Sequence, residues 1–522
     1  MRLSFVGIWF LCFSLTYASC SNTSAFPELS EADLSELQEG LQQGQFTSVD
    51  LVKAYLARIQ EVNTALHAVA ETNPDALTIA QTLDEERKAA GSYALLGSKV
   101  PHDSTVVAKL RAAGAIILGK ANLSQWANAR SSNTTNGWSA YGGQCSAVYY
   151  PNQDPSGSSS GSAVISSIGL AFATLGTDTI GSVLSPSDVN NVVGIRPTVG
   201  LTSRHLVIPF SLRQDSVGPL ARTVKDAAAM LSVIAGPDPA DNYTTVNPHP
   251  DLDYTKFDED YNTTLKNGRI GIPANILEVF TASWFDTTNT SGPVMDAFYA
   301  AVNLLEQHGA TVNHNANYSR LDEYITGYLD GSISNVVLAD VAYDIPEYLN
   351  LLQPQATPLP QTLEDIRNFT QHYPLEDYPD RDTADFDMEL AAPSASSAEI
   401  WAQYQLNLQL GGAGGIVGAL DNNNLDVLIV PTQASPYVTC IAGLPAISVP
   451  LGFYPSSQPV LESSRGLIGT APGIPFGISF IGRAWSEQTL LKYAYAFEQL
   501  TQVRKSGKPY MLPSTELGDI VG

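Results

Sequence analysis

One stretch constrains this chain more than any other: residues 156–187, SGSSSGSAVISSIGLAFATLGTDTIGSVLSPS. It sets two glycine-framed serine loops, one around Ser158 and one around Ser182, on either side of a run of small and apolar residues. Glycine lets the backbone turn tightly and leaves amide N–H groups open to a ligand. A serine hydroxyl framed by such amides is the raw material of acyl transfer, with one group as nucleophile and the N–H groups as oxyanion hole.

The two loops, GSSSGSA at 157–163 and GTDTIGS at 176–182, resemble the paired core of the amidase signature family. The resemblance continues upstream in GKANLSQW (119–126) and downstream in VVGIRPTVGL (192–201), Gln214-Asp215 and GPLARTV (218–224). It returns near the end in AGLPAISVP (442–450) and GISFIGRAWS (477–486). Long motifs in one order are far more specific than a single short pattern. The resemblance implies one large α/β domain over residues 21–522, a mixed, mostly parallel sheet sandwiched by helices. Within it residues 236–424 are the more variable, pocket-shaping part.

The resemblance also implies a Ser–Ser–Lys relay that hydrolyses carboxamide C–N bonds through an acyl-serine. Ser182 is then the nucleophile, and Ser158 the bridging serine, held by a cis peptide bond. The backbone N–H groups of Thr179, Ile180 and Gly181 form the oxyanion hole. The family's lysine lies on a strand ahead of the first serine loop. In this chain the corresponding block is absent between Arg87 and Tyr93, and Lys88, Lys99 and Lys109 do not match the motif. Three readings stay open: an amidase fold without catalysis that keeps a binding pocket, another base with Lys120 as the candidate, or a sequence shortened relative to an active product. A chain truly lacking the strand is expected to have a gap beside Ser158 and unpaired sheet backbone.

Other readings of the same residues are weaker. GSSSG also fits the Gly-x-Ser-x-Gly elbow, but that elbow follows a strand, and PNQDP at 151–155 reads as loop. A linker reading of GSSSGS fails inside so ordered a set of motifs. GGAGG at 411–415 lacks the Lys-Ser/Thr of a phosphate loop and reads as a turn or helix interruption. Seven scattered histidines form no His-Glu-x-x-His or Cys/His cluster, so no metal and no cofactor are expected. Asp215 and Arg222 read as fold-buttressing residues.

Residues 1–20, with Arg2 ahead of an apolar run and small residues at Ala18 and Cys20, read as a secretory signal peptide. Sequons stand at Asn22, Asn122, Asn133, Asn242, Asn262, Asn289, Asn317 and Asn368. Several of these are expected to carry N-glycans on a secreted protein, and Asn122, whose segment reads as helical and buried, is expected to stay bare. Cys145 and Cys440 are either one disulfide or two buried thiols. The formal charge of −25 argues against nucleic-acid or anionic-membrane partners, and the resemblance implies a small-molecule amide as the partner.

The pattern of apolar residues predicts helices from Ser30 to Gln43, from Ser48 along the Leu51–Val62 stripe, over 104–114, 226–234 and 487–500. Strands are predicted at 115–118, 171–176, 425–430, 446–450 and 478–481, the second delivering the Ser182 loop.

Overall fold

The computed structural model describes residues 26–77, 91–257, 259–282, 290–354 and 359–521. The signal peptide reading, Asn22, Asn289, Lys88 and the junction up to residue 90 lie outside those residues. Helix α1 (Leu34–Gln42) starts at Asp33 rather than Ser30, because Asp33 and Glu36 form a reciprocal capping box. Helix α2 (Ser48–Leu66) is capped by Thr47, paired in the same way with Asp50, and buries Val52, Tyr55, Ile59 and Val62 on one stripe. Helix α3 (Thr105–Ala112) follows. The strand predicted at 115–118 forms later, as β2 (Gly119–Ala121), pairing antiparallel with β1 (Val69–Thr72) in a separate two-stranded ribbon.

The small-residue run becomes α4 (Ser160–Ser167), every residue buried, then β3 (Thr174–Asp178) and α5 (Leu184–Val189). Next come β4 (Val193–Arg196), β5 (Ser216–Ala221) and α6 (Val224–Ile234). The variable region supplies short strands β6 (Arg269–Gly271) and β7 (Thr311–Asn313) and a series of helices, among them α7 (Asn335–Leu349). The chain closes with β8 (Val427–Pro431), β9 (Ala446–Phe453), β10 (Pro475–Ile481) and α8 (Glu487–Thr501).

Eight strands form one sheet in the order β7-β6-β8-β10-β9-β4-β5-β3. It is mixed, but mostly antiparallel rather than mostly parallel: only β7–β6 and β6–β8 run parallel. The reason is burial. Strands β8 and β10 are buried along their whole length, and a strand covered on both faces reads as a continuous apolar run whatever its direction. Helices α6 and α8 pack on the sheet together with α5, and the main core runs through all of them.

Within 236–424, Val337, Val341 and Ile345 of α7 build a second core with Leu363, Ile366 and Phe386. That core also takes in Trp126, so the variable region seats itself on the 119–126 motif. The glycine run at 411–415 is a helix interruption, a π-helical turn at Gly412–Ile416 between two α-helical pieces. Cys145 and Cys440 are both free and buried, so they form no disulfide.

Candidate active site

The first serine loop is a strained turn fixed from both sides. Ser156 and Gly157 adopt positive φ, 63° and 50°. A Cβ at Gly157 would stand 2.5 Å from the Pro186 ring and 3.3 Å from the Ser182 Cα, so only glycine lets the two loops meet. Ser124 holds the turn: its hydroxyl donates to the Gly157 carbonyl at 2.8 Å, and its N–H donates to the Ser158 carbonyl at 3.1 Å. The Gly157–Ser158 peptide is not cis; the cis bond among the described residues is Tyr378–Pro379. Ser158 is buried, at the entry to α4.

The second loop leaves β3 and is built around a residue to which the sequence reading gave no role. Asp178 is fully buried. Its Oδ1 accepts the Gly181 N–H at 2.8 Å, and its Oδ2 accepts the Val183 and Leu184 N–H groups at 2.7 and 3.2 Å. Arg196 completes the clamp, donating from Nη1 to Asp178 Oδ1 at 2.6 Å. A carboxylate that accepts several amides and one guanidinium fixes a loop far more firmly than neutral bonds do. Gly181 has a φ of 92° and lies against Pro436. Ser182 follows, half-buried, and its carbonyl accepts the Ser159 N–H at 3.2 Å, a direct link between the loops. The Ser158 and Ser182 hydroxyls make no direct hydrogen bond to each other among the described residues.

The expected oxyanion donors divide. The Gly181 N–H is engaged by Asp178, whereas the Thr179 and Ile180 N–H groups make no hydrogen bond among the described residues. Thr179 is oriented by its hydroxyl, which donates to Asp215 at 2.6 Å. Asp215 also accepts the Phe210 and Ser211 N–H groups, and burial raises its carboxyl to about 6. Arg222 donates to the carbonyls of Ser166, Ala171 and Ala32, a buttress as its sequence context indicated. His205 packs its ring on His102. Among the described residues no three His, Cys, Asp or Glu side chains gather into a metal-holding group.

Lys109 is committed elsewhere: its ammonium caps α6, donating to the carbonyls of Ala235 and Gly236 at 2.8 and 3.1 Å. Lys120 lies on β2 opposite Glu71. It lines a cavity of about 860 Å³ that Ser158 and Thr179 also line. This cavity runs between β3, the last strand of the large sheet, and β2 of the separate ribbon. The backbone edge of β3 that faces this cavity is partly satisfied by side chains. Ser159 Oγ bonds both the Thr177 N–H and the Thr177 carbonyl, and Ser162 Oγ donates to the Leu175 carbonyl.

The sequence reading missed Asp178, Arg196 and Ser124. All three stand inside motifs it quoted. The usable signal was an aspartate directly ahead of a glycine-rich turn, where a carboxylate collects backbone N–H groups.

With this geometry in place, the profile of the Amidase family matches residues 87–440. An amidase-named protein of Arthroderma benhamiae is 44% identical over 545 aligned positions, covering 95% of this chain and 90% of its own. One of Arabidopsis thaliana is 34% identical, covering 95% of both. The first alignment is longer than the part of this chain it takes in, so several dozen of its positions fall opposite gaps here. Among solved structures, native peptide amidase from Stenotrophomonas maltophilia superposes with a TM-score of 0.78 at 31% identity, covering 93% of this chain and 99% of that one. An amidase family protein of Bacillus anthracis gives 0.77 at 26% identity, covering 93% of each chain. Motif order, the paired serine loops and these likenesses agree: the chain belongs to the amidase family of hydrolases.

Proposed function

We propose that this chain hydrolyses the C–N bond of a carboxamide through an acyl intermediate on Ser182. The observation that carries the reading is the junction of the two loops, where Ser159 N–H meets the Ser182 carbonyl and Asp178 fixes the amides around Ser182. In the proposed step Ser182 Oγ attacks the carbonyl carbon while its proton passes to Ser158 Oγ and the Ser158 proton passes to a base. The N–H groups of Thr179 and Ile180 receive the developing oxyanion. The C–N bond then breaks, the leaving amine takes up a proton, and water releases the acid from Ser182. The base is the open element. Lys120 is the candidate, because it lines the same cavity as Ser158; in its neutral form it would accept the Ser158 proton.

The test is turnover of a panel of alkyl and aryl amides by wild type, Ser182→Ala and Lys120→Met. The reading predicts turnover lost in Ser182→Ala and reduced at least a hundredfold in Lys120→Met. No turnover by a folded wild type, with amides still binding, favours a non-catalytic amide binder instead.

We also propose that the protein is secreted and N-glycosylated. In support, Asn133, Asn242, Asn262, Asn317 and Asn368 all lie exposed. Asn122 is buried, though on the turn after β2 rather than on a helix, and its amide nitrogen donates to the His67 and Gly143 carbonyls. Finding the intact chain unglycosylated in the cytosol of its host would overturn this.

A further inference from the structure

We infer that Glu376, in the variable region, is a positioning residue for the Ser158 end of the proton relay. The inference rests on the hydrolase reading above and adds to it a residue outside the family-like motifs. Three observations carry it. Glu376 is fully buried at the end of a short turn, Pro374–Glu376, and divides its two oxygens between distant segments. Its Oε1 accepts the Ser92 hydroxyl and the Tyr93 N–H, both at 2.7 Å. Its Oε2 accepts Gln125 Nε2 at 2.6 Å and Arg130 Nη1 at 3.1 Å. The buried Arg130 guanidinium also donates back to the carbonyls of Glu376, Arg381 and Asp382. All the acceptor sites of the carboxylate are used, and the bonds to a guanidinium are stronger than neutral ones.

Second, the segment so held leads straight to the first serine loop. Gln125 follows Ser124, whose hydroxyl and N–H hold the Gly157 and Ser158 carbonyls. The path from Glu376 to Ser158 is one side-chain hydrogen bond, one peptide unit and one backbone hydrogen bond. The Gln125 side chain is fixed at its other atom too, its Oε1 accepting the Ala140 N–H at 3.0 Å and Arg130 Nη1 at 3.1 Å.

Third, the backbone directly after Gln125 is strained. Trp126, Ala127 and Asn128 take left-handed φ values of 51°, 54° and 69°. Residues with a Cβ seldom enter that region, and then singly. A run of three persists only where its surroundings over-determine it. Here Gln125 and Arg130 bracket the run and both bond to Glu376, while the Trp126 ring packs edge-on against Phe386 at 6.2 Å between centroids. Losing the Glu376 carboxylate frees the run to relax and lets Ser124 shift against the Ser158 loop. A buried ion pair that served folding alone would leave the relay intact in any variant that folds.

The experiment compares full-length wild type, Glu376→Gln, Gln125→Met and the double variant Glu376→Gln with Gln125→Glu, each checked for folding by thermal unfolding. Its readouts are amide turnover, labelling of Ser182 by a small fluorophosphonate, and hydrogen exchange of the Ser124 and Ser159 amides. In Glu376→Gln a donor replaces one oxygen and faces either the Tyr93 N–H or the Arg130 guanidinium. The double variant reverses the donor and acceptor between the two side chains and keeps a carboxylate beside Arg130. Glu376→Gln and Gln125→Met are expected to lose about a hundredfold in kcat, the scale for a displaced catalytic group, with KM within about threefold of wild type. Both amides should exchange faster in these two variants, and the double variant should recover kcat to within about tenfold. If Glu376→Gln does not fold, Gln125→Met decides, because it cuts the link to Ser124 and leaves the ion pair. Unchanged kcat in the folded variants, a loss carried by KM alone, or a loss that the double variant fails to recover would each overturn the inference. A folded wild type that neither turns over amides nor takes label defeats the hydrolase reading alone. The positioning of Ser158 then stands if both amides exchange faster in the single variants and recover in the double variant, and falls if they do not.

Discussion

Replacing Asp178 with asparagine probes the part of the site that the fold invests in most. In the native loop the carboxylate accepts three backbone N–H groups and one guanidinium N–H, with every partner buried. Asparagine keeps one acceptor. If its oxygen stays with Gly181 and Arg196, its NH₂ faces the Val183 and Leu184 N–H groups, donor against donor. Arg196 also loses its counter-charge, although its bonds to the Asp178 and Gln214 carbonyls at 2.8 and 2.7 Å remain. Breaking a buried pair by removing one partner costs about 3–5 kcal/mol. The surviving carbonyl contacts place this case near the lower end, at about 3 kcal/mol. Urea unfolding of Asp178→Asn should show that loss with an unchanged slope. Hydrogen exchange of the Val183 and Leu184 amides should accelerate beyond what the global loss explains. Asp178→Asn with Arg196→Met should be less unstable than Asp178→Asn alone, because the stranded charge is gone. A single variant within about 1 kcal/mol of wild type, with both amides equally protected, would refute the clamp.

Other outcomes follow from burial. Desolvation raises the carboxyls of Asp188, Asp344 and Glu498 to about 7. The folded state therefore keeps protons that the unfolded chain, titrating near 4, releases; the contribution of each group to stability is most favourable below about pH 4, falls between about pH 4 and about pH 7 by at most about 1.4 kcal/mol per unit, and levels off above that. Melting temperature should drop between pH 5 and pH 8, and Asp188→Asn should flatten that slope; a rise across the range contradicts it. Cys145 and Cys440 are inaccessible, and burial pushes the Cys440 thiol up to about 12. Alkylation should map to neither in the native protein and to both after denaturation without reductant. Glycopeptide mapping should find Asn133, Asn242, Asn262, Asn317 and Asn368 occupied and Asn122 bare.

Much of this was legible in the sequence, and the misses have physical causes. Helix positions came through because the apolar stripe of α2 and the cap residues are local. The starts slipped because Ser30 and Ser48 resemble caps as much as Asp33 and Thr47, and the decisive signal is the partner three residues on, Glu36 or Asp50. Strand direction was not local at all: β9 pairs Ala446 with Arg196 and with Ile481, and no short pattern encodes such partners. The loops around Ser158 and Ser182 were found through their glycines. The Asp178 carboxylate that orders the second loop was not, because a buried aspartate and a solvent-facing one look alike in a string of letters. The bonding of the β3 edge by the Ser159 and Ser162 hydroxyls was visible only in three dimensions.

The most direct test of the central claim, that the junction of the two loops is an acylation site with Ser182 as nucleophile, is peptide mapping of wild-type protein after reaction with a small fluorophosphonate. The account predicts one adduct, on Ser182, absent from Ser182→Ala and slowed by about a hundredfold or more in Ser158→Ala. An adduct on Ser158 or elsewhere, or a folded protein that takes no label at all, would contradict it.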